Sequence, residues 1–181
     1  MTDRPADPPR LEVRQLVAAD WAGLRQVRLA ALAEAPYAFA STLAREQAFE
    51  DDVWRDRAGS GATFGAFDGG SIVGLATGFA VDADAAADTR APAQAQPDWH
   101  LVGMWVAPQL RGQHVADRLV EGVCARAQQA GAQLVTLWVT EVNDRARAFY
   151  RRVGFAPTGE RQLVRPDEPD HWEEELARPL R

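Results

Sequence analysis

Apolar and polar residues alternate through Leu11-Glu12-Val13-Arg14-Gln15-Leu16, the period of a half-buried strand. From Trp21 onward the period becomes helical, with Leu24, Val27, Leu29 and Leu32 on one face. Asp20 stands where it would cap that helix, and Ala35-Pro36 ends it. A second helix is expected from about Leu43 to Ala58, closed by Gly59-Ser60-Gly61. Two short apolar runs, from Thr63 to Phe67 and from Ile72 to Ala76, flank Asp68-Gly69-Gly70 and read as a β-hairpin. Residues 82–98 carry no large apolar side chain and read as a long loop. A strand from Trp99 to Val106, a helix from Val115 to Ala130, a strand from Leu134 to Val139 and a helix from Asp144 to Arg152 follow. Two strands close the chain, at about Phe155 to Leu163 and Trp172 to Leu180. A hairpin first and strands alternating with helices later imply a mixed sheet flanked by helices.

Composition narrows the class. A chain of 181 residues suits one domain, read here as 10–181 behind a proline-rich tail at 1–9. The net charge of −6 argues against a nucleic-acid partner, whose backbone calls for a basic patch, and is compatible with cationic amines. No apolar run reaches the ~18 residues of a membrane span, and the first residues lack the apolar core of a secretory signal. The single cysteine, Cys124, fits a cytoplasmic protein and lies at helical spacing among apolar positions, as a small hydrophobe would. All twenty basic residues are arginine, so the protein has no lysine side chain to modify. His171 and Glu173 have no third partner at a metal-ligand spacing, so no metal is expected.

The densest chemistry lies between a strand and a helix, at Val106-Ala107-Pro108-Gln109-Leu110-Arg111-Gly112-Gln113-His114-Val115-Ala116. A proline stops the strand, and a glycine admits a turn that leaves helix-start N–H groups pointing outward, an arrangement suited to an anion. Arg111 adds a charge that matches phosphate. A plain strand-to-helix turn fits the same residues. The Walker loop is excluded because it needs a lysine, and the dinucleotide fingerprint because it needs three spaced glycines where Gly112 stands alone.

The run Val106-x-Pro108-x-x-Arg111-Gly112-x-x-Val115-Ala116-x-x-Leu119 resembles the acetyl-CoA signature of the GNAT N-acetyltransferases. At the three signature positions stand Arg111, His114 and Ala116; His114 occupies a glycine position of the family. A second block, Asn143-x-x-Ala146-x-x-Phe149-Tyr150-x-x-x-Gly154-Phe155, is similar to the family's other hallmark. Pro36-Tyr37-Ala38-Phe39-Ala40-Ser41-Thr42 resembles the segment joining the first two helices of many bacterial members. The resemblance implies an α/β fold with a central, mostly antiparallel sheet of six to seven strands flanked by about four helices.

It also implies roles. Backbone groups of Met104, Trp105 and Val106 would pair with the pantetheine arm of acetyl-CoA. Arg111, Gly112, Gln113, His114, Val115 and Ala116 would hold the pyrophosphate, and Asn143 would hydrogen-bond near the pantetheine. Tyr150 would lie by the sulfur as general acid. The strand glutamate that many members use as a base is absent from Trp99–Val106, and His100 stands near where some members carry it. His100 is therefore the candidate base. Glu46, Glu50, Asp51 and Asp52 would either line an acceptor cleft or form a solvated helix face. One of Arg145, Arg147, Arg151 and Arg152 would reach a CoA phosphate. The activity implied is acetyl transfer from acetyl-CoA to a small-molecule or peptide amine, with a homodimer compatible. A non-catalytic acyl-CoA-binding module and a protein-interaction domain are the rival readings, prompted by His114 and by the missing glutamate.

Overall fold

The computed structural model describes residues 11–81 and 98–180. The 1–9 tail and all but the last residue of the 82–98 loop lie outside the described residues. Seven strands are present: β1 (Glu12–Gln15), β2 (Thr63–Asp68), β3 (Ser71–Ala80), β4 (Trp99–Val106), β5 (Leu134–Thr140), β6 (Ala156–Leu163) and β7 (Trp172–Pro179). They form one sheet in the order β1-β2-β3-β4-β5-β7-β6. Only β4 and β5 run parallel; the other neighbours are antiparallel.

Alternation along the strands splits the core between the two faces of the sheet. Leu75 and Trp105 pack with Val27, Ala31 and Leu32 of helix α1 (Trp21–Glu34). Their neighbours Ala76 and Val106 pack with Leu119, Val120 and Val123 of helix α4 (Val115–Gln129). Helix α4 lies very close to the sheet. A Cβ at Gly78 of β3 would stand 2.4 Å from Val123 Cγ1, so only glycine fits that crossing. Helices α2 (Leu43–Gln47) and α3 (Asp51–Gly59) join α1, whereas α5 (Asp144–Arg152) sends Tyr150 into the α4 side of the core.

Two sequence expectations need correction. The single helix from Leu43 to Ala58 is two, broken where Glu50 is extended at φ −66°, ψ 157°. The break lets Phe49 turn inward onto Trp54, with ring centroids 5.9 Å apart. Asp20 does occupy the cap position of α1, but its carboxylate makes no bond to the helix. It accepts from Arg14 at 2.7 and 2.9 Å and from the Val17 N–H at 2.9 Å.

The feature that shapes the site is in β4. Its register with β3 passes from Leu75↔Trp105 to Thr77↔Val102, so that Ala76 alone on β3 stands against Gly103 and Met104 on β4. That is a β-bulge, and Gly103 sits in it at φ +65°. The bulge reverses which face each later side chain meets, so Trp105 turns toward α1 and Val106 toward α4. It also bends β4 away from β5. Those strands pair only at Trp99↔Val135 and His100↔Thr136, and their remaining lengths stand apart.

A Cβ at Gly103 would find its nearest neighbours at 3.6 and 3.7 Å, so space is not the constraint; the left-handed backbone is. Gly103→Ala is therefore expected to lower stability by about 1–2 kcal/mol, read from urea unfolding. An unchanged midpoint would show that the bulge relaxes freely.

Candidate active site

Where β4 and β5 part, a cavity of about 400 Å³ opens on the α4–α5 side. Among its walls are Met104, Trp105 and Val106 from β4, Gly112, His114, Val115 and Ala116 from the start of α4, and Asn143 and Tyr150 from the α5 segment. Two sequence blocks far apart in the chain thus meet around one space. Gln113 is the expected member that does not line it; its side chain turns back to the Gln109 carbonyl at 3.3 Å.

The strand-to-helix junction forms as its residues require. Pro108 opens a single 3-10 turn, Pro108–Leu110, that ends the strand. Gly112 follows at φ +84° and His114 at φ +59°. Among the described residues, none of the backbone N–H groups from Gly112 to Asp117 donates to a backbone acceptor. Those of Gly112 to Ala116 form a cluster of donors at the positive end of a 15-residue helix, while the Asp117 N–H serves its own carboxylate.

His114 fits because it accepts the left-handed backbone a glycine would normally take, and its side chain is 77% exposed. Its ring points outward, 3.4 Å from Asp117 Oδ1, so it does not fill the loop. His114→Gly is expected to leave the unfolding free energy within about 1 kcal/mol of wild type, since relief of the left-handed strain offsets glycine's extra entropy. His114→Val should cost about 2 kcal/mol, because a branched side chain tolerates that backbone least. Thermal unfolding of both variants checks the pair, and equal losses would refute the strain account.

Arg111 departs from its expected role. Its Nε donates to the Val106 carbonyl at 2.9 Å, and its two terminal nitrogens pair with Glu34 at 2.8 and 3.2 Å. Glu34 also accepts from Trp105 Nε1 at 2.9 Å. Arg111 and then Trp105 hold the Glu34 carboxyl below its ordinary pKa. The guanidinium therefore ties the junction to the end of α1, which leaves the backbone donors to meet an anion.

Of the four α5 arginines, Arg147 and Arg151 face Glu174 and Arg152 pairs with Asp117. Arg145 lines the cavity with no ion pair among the described residues, which makes it the arginine available for a phosphate. Asn143 caps α5, its Oδ1 accepting from the Ala146 N–H at 3.1 Å; the side-chain NH₂ is the part left for a ligand. Tyr150 is 8% exposed, and burial pushes its phenol pKa well up.

A second cleft of about 730 Å³ lies on the other face of the sheet, lined by Arg28, Glu46, His100, Trp138 and Glu173 among others. Both spaces are bounded by Ala38 and Phe39, so this short wall is where they meet. Arg165, from the β6–β7 turn, holds the wall by donating to the carbonyls of Pro36, Phe39 and Ala40. His100 sits in this cleft, not with Tyr150. Its Nδ1 is 2.8 Å from Thr136 Oγ1, and burial lowers its pKa.

Of the acidic run, Glu46 alone lines the cleft, and it is no solvated face. Its side chain is 2% exposed and is gripped by Arg28 at 2.7–3.2 Å and Arg57 at 3.1 Å. Arg28 and Glu173 are further cleft residues that sequence reasoning did not single out. Arg28 had a visible signal, a charge one turn from both Leu24 and Leu32 on the apolar stripe of α1. Glu173 had none beyond its place in a closing strand; burial there raises its carboxyl pKa, with Gln162 donating at 2.8 Å. Cys124 lines neither space, and burial pushes its thiol up to about 11, so it packs as a hydrophobe. No group of ligands able to hold a metal occurs among the described residues.

An α/β sheet split by a bulge, with free helix-start donors on one side and a polar cleft on the other, is the frame of an acyltransferase. The sequence matches the model of the acetyltransferase (GNAT) family over residues 26–155, and the chain belongs to that family. No curated protein matches it. Among solved structures, yncA from Salmonella typhimurium, solved with acetyl-CoA, is 16% identical with a TM-score of 0.70, covering 95% of each chain. A GNAT-family acetyltransferase from Streptococcus pneumoniae is 19% identical with a TM-score of 0.70, covering 95% of this chain and all of its own. NAA60 from Arabidopsis thaliana, solved with a bisubstrate analogue, is 15% identical with a TM-score of 0.67, again covering 95% of this chain and all of its own. At such identities the likeness is one of fold.

Proposed function

We propose that this protein is an N-acetyltransferase that passes the acetyl group of acetyl-CoA directly to the primary amine of a small molecule or peptide, without a covalent enzyme intermediate. The observation that carries this reading is the opening between β4 and β5, with the N–H cluster of 112–116 on one side and a polar cleft on the other. Acetyl-CoA supplies an activated thioester. The N–H groups and Arg145 suit its phosphates, and the unpaired edge of β4 at Met104–Val106 suits the amides of its pantetheine arm.

His100 stays neutral at pH 7, because burial lowers a pKa that already lies near ~6.5. With Nδ1 held by Thr136, Nε2 is left to take a proton from the attacking amine, directly or through water. The nitrogen then bonds to the acetyl carbon, the carbon–sulfur bond breaks, and Tyr150 protonates the departing thiolate.

Thiol release with acetyl-CoA and a panel of primary amines tests the proposal, with mass analysis of the product. Release with at least one amine, giving its acetamide, is expected. If acetyl-CoA raises the melting temperature yet no amine releases thiol, the protein is a non-catalytic acyl-CoA-binding module. His100→Gln should lower kcat/KM at pH 7 by at least about 10-fold. A base whose pKa is lowered keeps its active form down past its ordinary value, so the wild-type acid limb should fall below pH ~6.5 and vanish in the variant. A limb that survives would move the base role to Glu173.

A further inference from the structure

The acceptor cleft holds a donor, stacked over the Phe39 ring, that has no hydrogen-bond partner among the described residues. Arg28 Nε and Nη2 are satisfied by Glu46, but Nη1 is buried and has no hydrogen-bond partner among the described residues. A buried, unpaired guanidinium N–H is costly, so a native protein retains one where something else completes it. Its position is specific. Nη1 lies 3.6 Å from where a Cβ would stand on Gly103, beside the bulge at which β4 leaves β5. Whatever completes Nη1 therefore sits at the gap.

The charge around it has a sign. Glu46 is the one carboxylate against Arg28, and it is shared with Arg57, leaving that cluster one positive charge in excess. Arg45 and Asp56 line the same wall, so three arginines face two carboxylates there and the excess stays positive. The β7 side of the cleft carries the opposite character, with Glu173 half-buried, taking a hydrogen bond from Gln162 and lying near His171. A cleft with an orphan cationic donor on its helical wall and a carboxylate on its strand wall is polarised for a zwitterion.

Resting on the N-acetyltransferase reading, we propose that the acceptor is an α-amino acid whose carboxylate pairs with Arg28 Nη1 and whose amino group faces the gap. The carboxylate must be the one next to the amine, because Nη1 lies at the gap itself and a distal acid would be held away from it. Arg28 is thus a specificity residue that reads the acceptor.

The test compares the common amino acids with their amides and with the matching amines that lack the carboxylate. Two readouts are used: binding, as thermal shift in the presence of CoA, and turnover, as thiol release from acetyl-CoA. At least one free amino acid is expected to bind and react at least ten times better than its amide and its decarboxylated amine. Arg28→Lys keeps a charge beside Glu46 but loses the planar fork, and should raise KM for the amino acid about 10-fold or more while leaving KM for the plain amine unchanged. Because Arg28 also supports Glu46, Arg45→Gln on the surface provides a second variant that does not threaten the fold; a smaller rise in KM, confined to the amino acid, is expected.

Amides or plain amines that react as well as the free acids would overturn the proposal and leave the enzyme reading intact. So would a fall in kcat common to every amine in Arg28→Lys, which would place Nη1 on the thioester. Amino acids that bind through Arg28 while no amine releases thiol would support the cleft assignment and overturn the enzyme reading. Absence of both binding and turnover would overturn both.

Discussion

Tyr150→Phe is expected to lower kcat by about 100-fold or more while leaving acetyl-CoA binding and the melting temperature essentially unchanged. The substitution removes one oxygen. The ring keeps its contacts, with Phe149 at 5.1 Å and Phe155 at 5.7 Å between centroids. Burial is what raises the phenol pKa, and none of the described residues hydrogen-bonds the hydroxyl to offset it. The group therefore keeps its proton throughout the working range, as a donor must, and its loss deprives no other side chain of a partner. A hydroxyl that supports nothing structural yet lines the cavity at the strand opening is, on the proposed function, the group that would meet the thiolate. Steady-state kinetics separate the cases: a fall in kcat with constant KM supports the acid role, and full activity would mean the thiolate departs unaided.

The largest stability effect is expected at Glu46. Glu46→Gln should cost about 3–5 kcal/mol in urea unfolding at pH 7, a large fraction of the ~5–15 kcal/mol that holds an ordinary domain together. Two arginines, Arg28 and Arg57, are arranged around this one carboxylate, and the variant leaves them facing a neutral amide. Burial alone would raise the Glu46 pKa, but the Arg28 hydrogen bonds and charge outweigh it, with Ser41 and Arg57 adding to them, and the carboxyl sits below its ordinary value. A pKa lowered by folding gives stability that is complete above the unfolded value of ~4.3 and is lost as pH falls through the folded one. The stability difference between wild type and Gln variant should therefore shrink in acid. Equal stability at pH 7 would show that the arginine fork is dispensable.

Much of this was written in residue types and spacing. The strand from Trp99 to Val106 and the helix from Asp144 to Arg152 are read directly from periodicity, and the junction between Val106 and Ala116 from Pro108 and Gly112. The bulge was not legible, because one glycine in a strand does not say which register the neighbouring strand adopts. Nor was the pairing of Arg111 with Glu34, which lie 77 residues apart. Glu46 and Glu50 look alike in sequence; only the break between α2 and α3 turns one inward and leaves the other exposed. Sequence shows which groups are available, whereas long-range packing decides which charges are already spent on each other.

The two residue pairs that join β4 to β5 make the sheet two leaves, of four and three strands, held at one end of a seam. On the proposed function, a cofactor laid along the open part would bridge the leaves and bind the folded chain alone. At a concentration one hundred times its dissociation constant, such a ligand adds about 2.7 kcal/mol to folding. On the proposed function, an acetyl donor held there would slow proteolysis of each copy as well as feed its reaction.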